Sequence, residues 1–287
     1  MKSKSSLIAV LAVLLVGLMC GFVHAKSFRI IIMQDNKGVA EKFTPLLGYL
    51  KKNDFSADFV TAPNYAAAAK MFANGEGDAM FSSSGVAGTL IIKELAVPLV
   101  RGVSKEGVST YHAVILARRG GAKFLGTSDF FKGKRVIFTS LASAGEFYYQ
   151  SFADIKNIKS TVEIASSHGG SIDALSRNAA DVAIVKNLVW EKRSGNYPDI
   201  EKIGEDNGEN PEMALMVSKK VDAKTVAELS RLLLALKNDT SPPAQKVKNK
   251  LDIQGYIPTT RTDFKHTLTL LKQAGVTKSF DYSFKYQ

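Results

Sequence analysis

The stretch Lys134–Gln150, KRVIFTSLASAGEFYYQ, changes its periodicity once, and that change decides the reading of the chain. Val136-Ile137-Phe138 is a continuous apolar run of the kind that forms a buried strand. It breaks into the small and hydroxyl residues Thr139 to Gly145, and a helical pattern starts at about Glu146. A strand that stops in small residues at a helix start presents free backbone N–H groups, hydroxyls and a positive helix end. Those are the parts of an oxyanion cradle. Ser and Thr are also ordinary helix N-caps, so this stretch alone leaves a plain strand–helix loop open.

Outward from it, the same series occurs twice. Strands are predicted at Phe28–Met33, Ala57–Ala62 and Asp78–Phe81, alternating with amphipathic or alanine-rich helices at Val39–Leu50 and Tyr65–Ala73. They recur at Arg135–Phe138, Thr161–Ala165 and Asp181–Val185, with helices from about Glu146 and near Ile172. In each set an Asp opens the third strand, Asp78 in one and Asp181 in the other. Strands alternating with helices argue for parallel sheets covered on both faces. The fold class is therefore α/β, with two doubly wound lobes. Ser109–Arg118 reads as one long crossing strand and Asn210–Val217 as its return, which makes a two-strand hinge. The expected division is a signal peptide at 1–25, one lobe from 26–110 plus 216–287, and a second from 111–215. Gly255–Pro258 reads as a turn before a last helix.

The first residues set the compartment. Lys2 and Lys4, an apolar run from Leu7 to Met19, and Val23-His24-Ala25 have the order of a secretory signal peptide cut after Ala25. Cys20 also admits a lipid anchor, although Gly17-Leu18-Met19 is a poor lead-in to one. Removal of the signal removes the only cysteine, which suits a periplasmic protein without disulfides. The net charge of +11 would raise nucleic acid as a partner in a cytosolic chain. Export and the lack of any nucleic-acid motif argue against that, and the basic surface suits small anions instead.

In doubly wound sheets, ligands sit outside the carboxyl ends of the strands. Here those ends carry Tyr65, Ser82, Ser83, Thr139 with Ser140 and Ser143, Ser167 with His168, and Lys186 with Asn187. The set is rich in donors and poor in carboxylates, which fits a small hydrated oxyanion. His168 is either an anion donor or a structural hydrogen bonder. Tyr65, Phe81 and Tyr111 are either pocket walls or interlobe packing, and Lys186 is either solvated or the partner of a dianion. No Gly-x-Ser-x-Gly elbow or Walker loop is present, and His112, His168 and His266 lack metal-ligand spacing. No cofactor, metal or catalytic residue is expected.

The mature chain resembles the periplasmic phosphonate-binding proteins of ABC transporters, within the type II solute-binding superfamily. The likeness rests on Phe43–Leu47, Ala62–Tyr65, Gly77–Phe81, Tyr111, Ser143–Gly145, Ser167–Ala183 and Gly255–Pro258. It implies that Ser143, Ala144 and Gly145, with Ser140 helping, and His168 grip the anion, with Tyr65 and Phe81 as walls. Family acids that hold the amine of aminated phosphonates fall near Leu188 and at Asn210, and neither residue is acidic here. A family tyrosine hydroxyl is missing at Phe81 and a family serine at Ala144. These departures point to phosphate, phosphite or a simple phosphonate. The expected protein is a monomeric periplasmic binder that delivers its ligand to a membrane ABC permease. A ligand-binding subunit of a membrane sensor, or an exported enzyme on the same scaffold, are the alternatives.

Overall fold

The computed structural model describes residues 27–33, 38–141 and 144–286. The first half runs β1 (Phe28–Met33), α1 (Val39–Lys52), β2 (Ala57–Ala62), α2 (Tyr65–Ala73), β3 (Ala79–Ser82), α3 (Ser84–Ile92) and β4 (Ala96–Ser104). The chain crosses through β5 (Thr110–Tyr111) into β6 (Ala113–Arg118), β7 (Arg135–Thr139), α4 (Ala144–Ser151), β8 (Thr161–Ala165) and α5 (His168–Ser176). β9 (Val182–Lys186), α6 (Asn187–Arg193) and β10 (Ile200–Glu205) complete that half. It returns through β11 (Asn210–Pro211) to β12 (Ala214–Ser218), α7 (Ala223–Ala235), α8 (Pro242–Leu251), β13 (Ile253–Pro258) and α9 (Lys265–Gln273).

Two sheets result. One has the order β13-β4-β12-β3-β1-β2 and the other β10-β6-β9-β7-β8, with β5 and β11 paired between them. The repeat is visible in the register: β1 lies parallel between β2 and β3, as β7 lies parallel between β8 and β9. The antiparallel neighbour of β3 is β12, and that of β9 is β6. Both sheets are therefore mixed, not purely parallel. The segment 255–258, expected as a turn, lies within strand β13, antiparallel to β4. The long crossing strands are each broken in two, because His112 and the Glu212–Met213 pair separate hinge ladder from sheet.

Alternation along the strands sorts the core. Ile30, Ile32, Ala79 and Phe81 face one cluster with residues of α1, α7 and α8, while Ile31 and Met80 face another. That second cluster is continuous across both lobes, taking in Val86, Leu90, Ile115, Phe138, Phe147 and Leu271. It forms because α4 packs on α9 and α3, helices that belong to the other sheet. The chain also crosses a third time. After α9, Lys93 Nζ donates to Lys278 O and at 2.9 Å to Phe280 O, and farther along the tail Tyr286 donates to Glu146 of α4. A two-strand hinge was expected, and the tail adds a strap to it.

Candidate functional site

Four helices start in or beside one cleft, each following a strand end. Asn64 caps α2, its Oδ1 accepting from Ala67 N at 2.8 Å, and Ser167 caps α5, its Oγ accepting from Gly170 N at 3.1 Å. These are equivalent positions in the two lobes, one after β2 and one after β8. Ser83 precedes α3 and Lys186 precedes α6 in the same way. The helix ends thus direct partial positive charge at a shared space.

That space is a cavity of about 620 Å³ lined from one side by Pro63, Asn64, Tyr65 and Ser83 and from the other by Thr139, Ser140, Ser166, Ser167, His168 and Lys186. Tyr111 and Glu212, from the two hinge crossings, line it as well. A larger cavity of about 1140 Å³ lies under the C-terminal tail. Its lining runs through Lys156, Lys159 and Phe284 and includes none of these strand-end groups, so the chemistry belongs to the smaller cleft.

Buried polar groups without a partner mark what the cleft is built to hold. Among the described residues, Ser83 Oγ and His168 Nδ1 are enclosed and make no hydrogen bond, and both belong to its lining. Leaving such groups unpaired costs about 1–3 kcal/mol each, which a polar ligand recovers. Burial first and the Lys186 charge second push His168 down to about 3, so its ring is neutral at ordinary pH. A neutral imidazole donates through one nitrogen, like the serine hydroxyls. Tyr111 is fixed by a short hydrogen bond between its hydroxyl and Ser84 Oγ, and burial raises its pKa far above the usual phenol range. Lys186 Nζ lies 4.6 Å from the centroid of the Tyr111 ring and pairs with Glu212.

Of the residues expected at the site, Tyr65, Ser83, Tyr111, Ser140, His168 and Lys186 meet at this cavity. Ser143 lies outside the described residues. Phe81 is placed elsewhere: it is 3% exposed and packs between Phe43 and Tyr256, because it shares the strand parity of Ala79. Ser82 is fully buried and donates to Ser83 O at 3.0 Å. Ala144 and Gly145 are buried behind the loop. A Cβ on Gly145 would stand 2.7 Å from Ile184 O, so the glycine serves close packing of α4 on β9. Glu212 was not singled out in the sequence, and it joins a lining that was expected to be poor in carboxylates. Asn187 and Asn210 serve the hinge, Asn187 Oδ1 accepting from His112 N at 3.0 Å and Asn210 Oδ1 from Thr267 Oγ1 at 2.6 Å.

Among the described residues no group of three or more His, Cys, Asp or Glu could hold a metal ion. None of the described helices is long and apolar enough to cross a membrane. No curated protein matches the chain. Among solved structures it is similar to PhnD1 from Prochlorococcus marinus in complex with methylphosphonate (15% identity, TM-score 0.69, covering 87% of this chain and 98% of that one). It is also similar to a binding-protein component of an ABC phosphonate transporter from Pseudomonas aeruginosa (13%, TM-score 0.66, 86% of each chain). XAC2383 from Xanthomonas citri, bound to chloride ion, aligns over 87% of this chain and 96% of its own (16%, TM-score 0.70). At these identities the likenesses speak for the fold. The family model for ABC-transporter phosphonate periplasmic substrate-binding proteins matches residues 28–264, and the chain belongs to that family.

Proposed function

We propose that the chain captures a small phosphorus oxyanion, a phosphonate, phosphite or phosphate, in the cleft between its lobes and delivers it to a membrane ABC permease. The observation that carries this reading is the convergence of Ser83 Oγ and His168 Nδ1, buried and unpaired, with helix N-termini from both lobes. Fixed dipoles and neutral donors hold an anion without an opposing formal charge. The lobe of 26–110 plus 216–287 supplies Tyr65 and Ser83, and that of 111–215 supplies Ser140 and His168, so a bound anion joins the two and favours closure. Residues 1–25 act as a signal peptide that places the mature chain in the periplasm, where it works as a monomer.

The test is thermal unfolding of residues 26–287 against methylphosphonate, phosphite, phosphate and sulfate, followed by calorimetry. A ligand present at 100 times its Kd adds about 2.7 kcal/mol of stability. Ser83→Ala and His168→Ala should each weaken the best ligand by ~1–3 kcal/mol. Unchanged affinity in both variants, or no response to any phosphorus anion, would sink the reading.

A further inference from the structure

Three segments that are distant in sequence meet at one corner of the cleft. Tyr111 ends β5, Lys186 ends β9, and Glu212 follows β11. A ring face beside a carboxylate is a donor set for a cation, the ring through its quadrupole and the acid through its charge. In this chain the cation is internal. Lys186 Nζ stands 4.6 Å from the Tyr111 centroid and forms an ion pair with Glu212 Oε2. The pair is well enclosed, with side chains 16% and 27% exposed.

Among the described residues that line the cleft, Glu212 is the only acid and Lys186 the only lysine or arginine. Among these residues, an ammonium group carried by a ligand has one carboxylate to meet, and Lys186 already holds it. To reach it the ligand must displace Lys186 and strand a second positive charge in a poorly solvated corner. An anion without an amine meets no such obstacle, because the starts of α2, α3 and α5 and the His168 ring lie outside the pair.

Building on the oxyanion reading above, we propose that Lys186 is a specificity-determining residue: its ammonium occupies the cation-accepting corner formed by Tyr111 and Glu212, so the cleft takes compact phosphorus oxyanions and rejects those that carry a primary amine. Lys186→Met keeps an unbranched stem against the Tyr111 ring and vacates the corner.

The experiment is calorimetric titration of wild type, K186M and K186M/E212Q with methylphosphonate and 2-aminoethylphosphonate. Wild type should prefer methylphosphonate by about tenfold or more. K186M should narrow or invert that preference by strengthening the aminated ligand, and E212Q added to K186M should abolish the gain. Equal weakening of both ligands in K186M would mean that Lys186 binds the anion itself, and would overturn the proposal. So would a wild type that takes both ligands equally. A wild type that binds no phosphorus anion would instead overturn the oxyanion reading on which the proposal rests. The pair is also read without ligand: E212Q should raise the Tm of K186M by removing a stranded carboxylate, and a further fall would overturn the pairing.

Discussion

Asp78 and Asp181 hold the same position in the two halves and do the same thing. Asp78 Oδ2 accepts from Arg29 N at 2.8 Å, and Asp181 Oδ2 accepts from Arg135 N at 2.8 Å. In return each Asp N–H donates to the carbonyl of that arginine, at 2.8 and 2.9 Å. The carboxylate thus closes the ladder where the third strand has not yet begun, and Asp181 also accepts two hydrogen bonds from the Arg135 guanidinium. The hydrogen bond from Arg135 holds Asp181 below the usual carboxylate range. Its contribution is therefore present above the ordinary carboxylate pKa and is lost as pH falls through the lowered value. Because the Asp181 side chain is 38% exposed, Asp181→Asn and Asp78→Asn should each cost only about 1 kcal/mol in urea unfolding at neutral pH. The recurrence of the two acids was legible in the sequence; their bond to the first strand was not, since it joins residues 49 and 46 positions apart. Site residues show the same limit. Strand-end hydroxyls announce themselves, but Phe81 could not be assigned to wall or core before its strand face was known. Glu212 follows a hinge crossing that reads as part of one uninterrupted strand.

At the scale of elements, the loop after β7 is held from below by the helix it leads into. Glu146 Oε2 of α4 accepts from Leu141 N at 2.5 Å, while its Oε1 accepts from the Tyr286 hydroxyl. Burial outweighs both donors and pushes Glu146 up to about 7. The folded chain then holds a proton that the unfolded chain releases at about 4.5, so this group's contribution is full below 4.5 and is lost as pH rises through about 7. That window is worth about 3 kcal/mol at most. Glu146→Gln should flatten the fall in Tm between pH 4.5 and 7.5; an unchanged slope would show that the carboxyl ionises freely. The strands that sequence missed have identifiable causes. β4 carries Pro98, Arg101 and Gly102, and its pairing with β12 shifts register between Leu215 and Met216, opposite Pro98, which has no N–H to donate. β13 contains Gly255, where a Cβ would lie 2.6 Å from Lys237 Cα, so close approach of the turn after α7 requires the residue that disguised the strand as a turn. The βαβαβ repeats were legible because their apolar runs are short and bounded by turn residues.

The whole molecule is less divisible than its two sheets imply, since one apolar cluster and the C-terminal strap run through both. The lobes touch closely at Gly85 of α3, where a Cβ would stand 2.5 Å from Leu141 O and 2.8 Å from the Phe147 ring. Gly85→Ala should therefore cost about 1–3 kcal/mol through overpacking, and it should also weaken the anion, because Leu141 belongs to the loop that carries Ser140. Differential scanning calorimetry with and without ligand checks both effects, and loss of stability alone would show that the interlobe contact and the loop are independent. The two crossings have one more consequence. Tyr111 and Glu212 belong to or adjoin the paired crossings and also line the cleft, so an anion bound there as proposed would rest at the fulcrum and not at the lever's end. Around a fulcrum, displacements are smallest at the pivot and grow with distance toward the rims. A small adjustment against a compact anion would thereby be amplified into a wide change in rim separation. A permease would then need no contact with the cargo, because it could sense loading as an angle. Selectivity at the pivot and recognition at the rim can then diverge independently, each on its own set of residues.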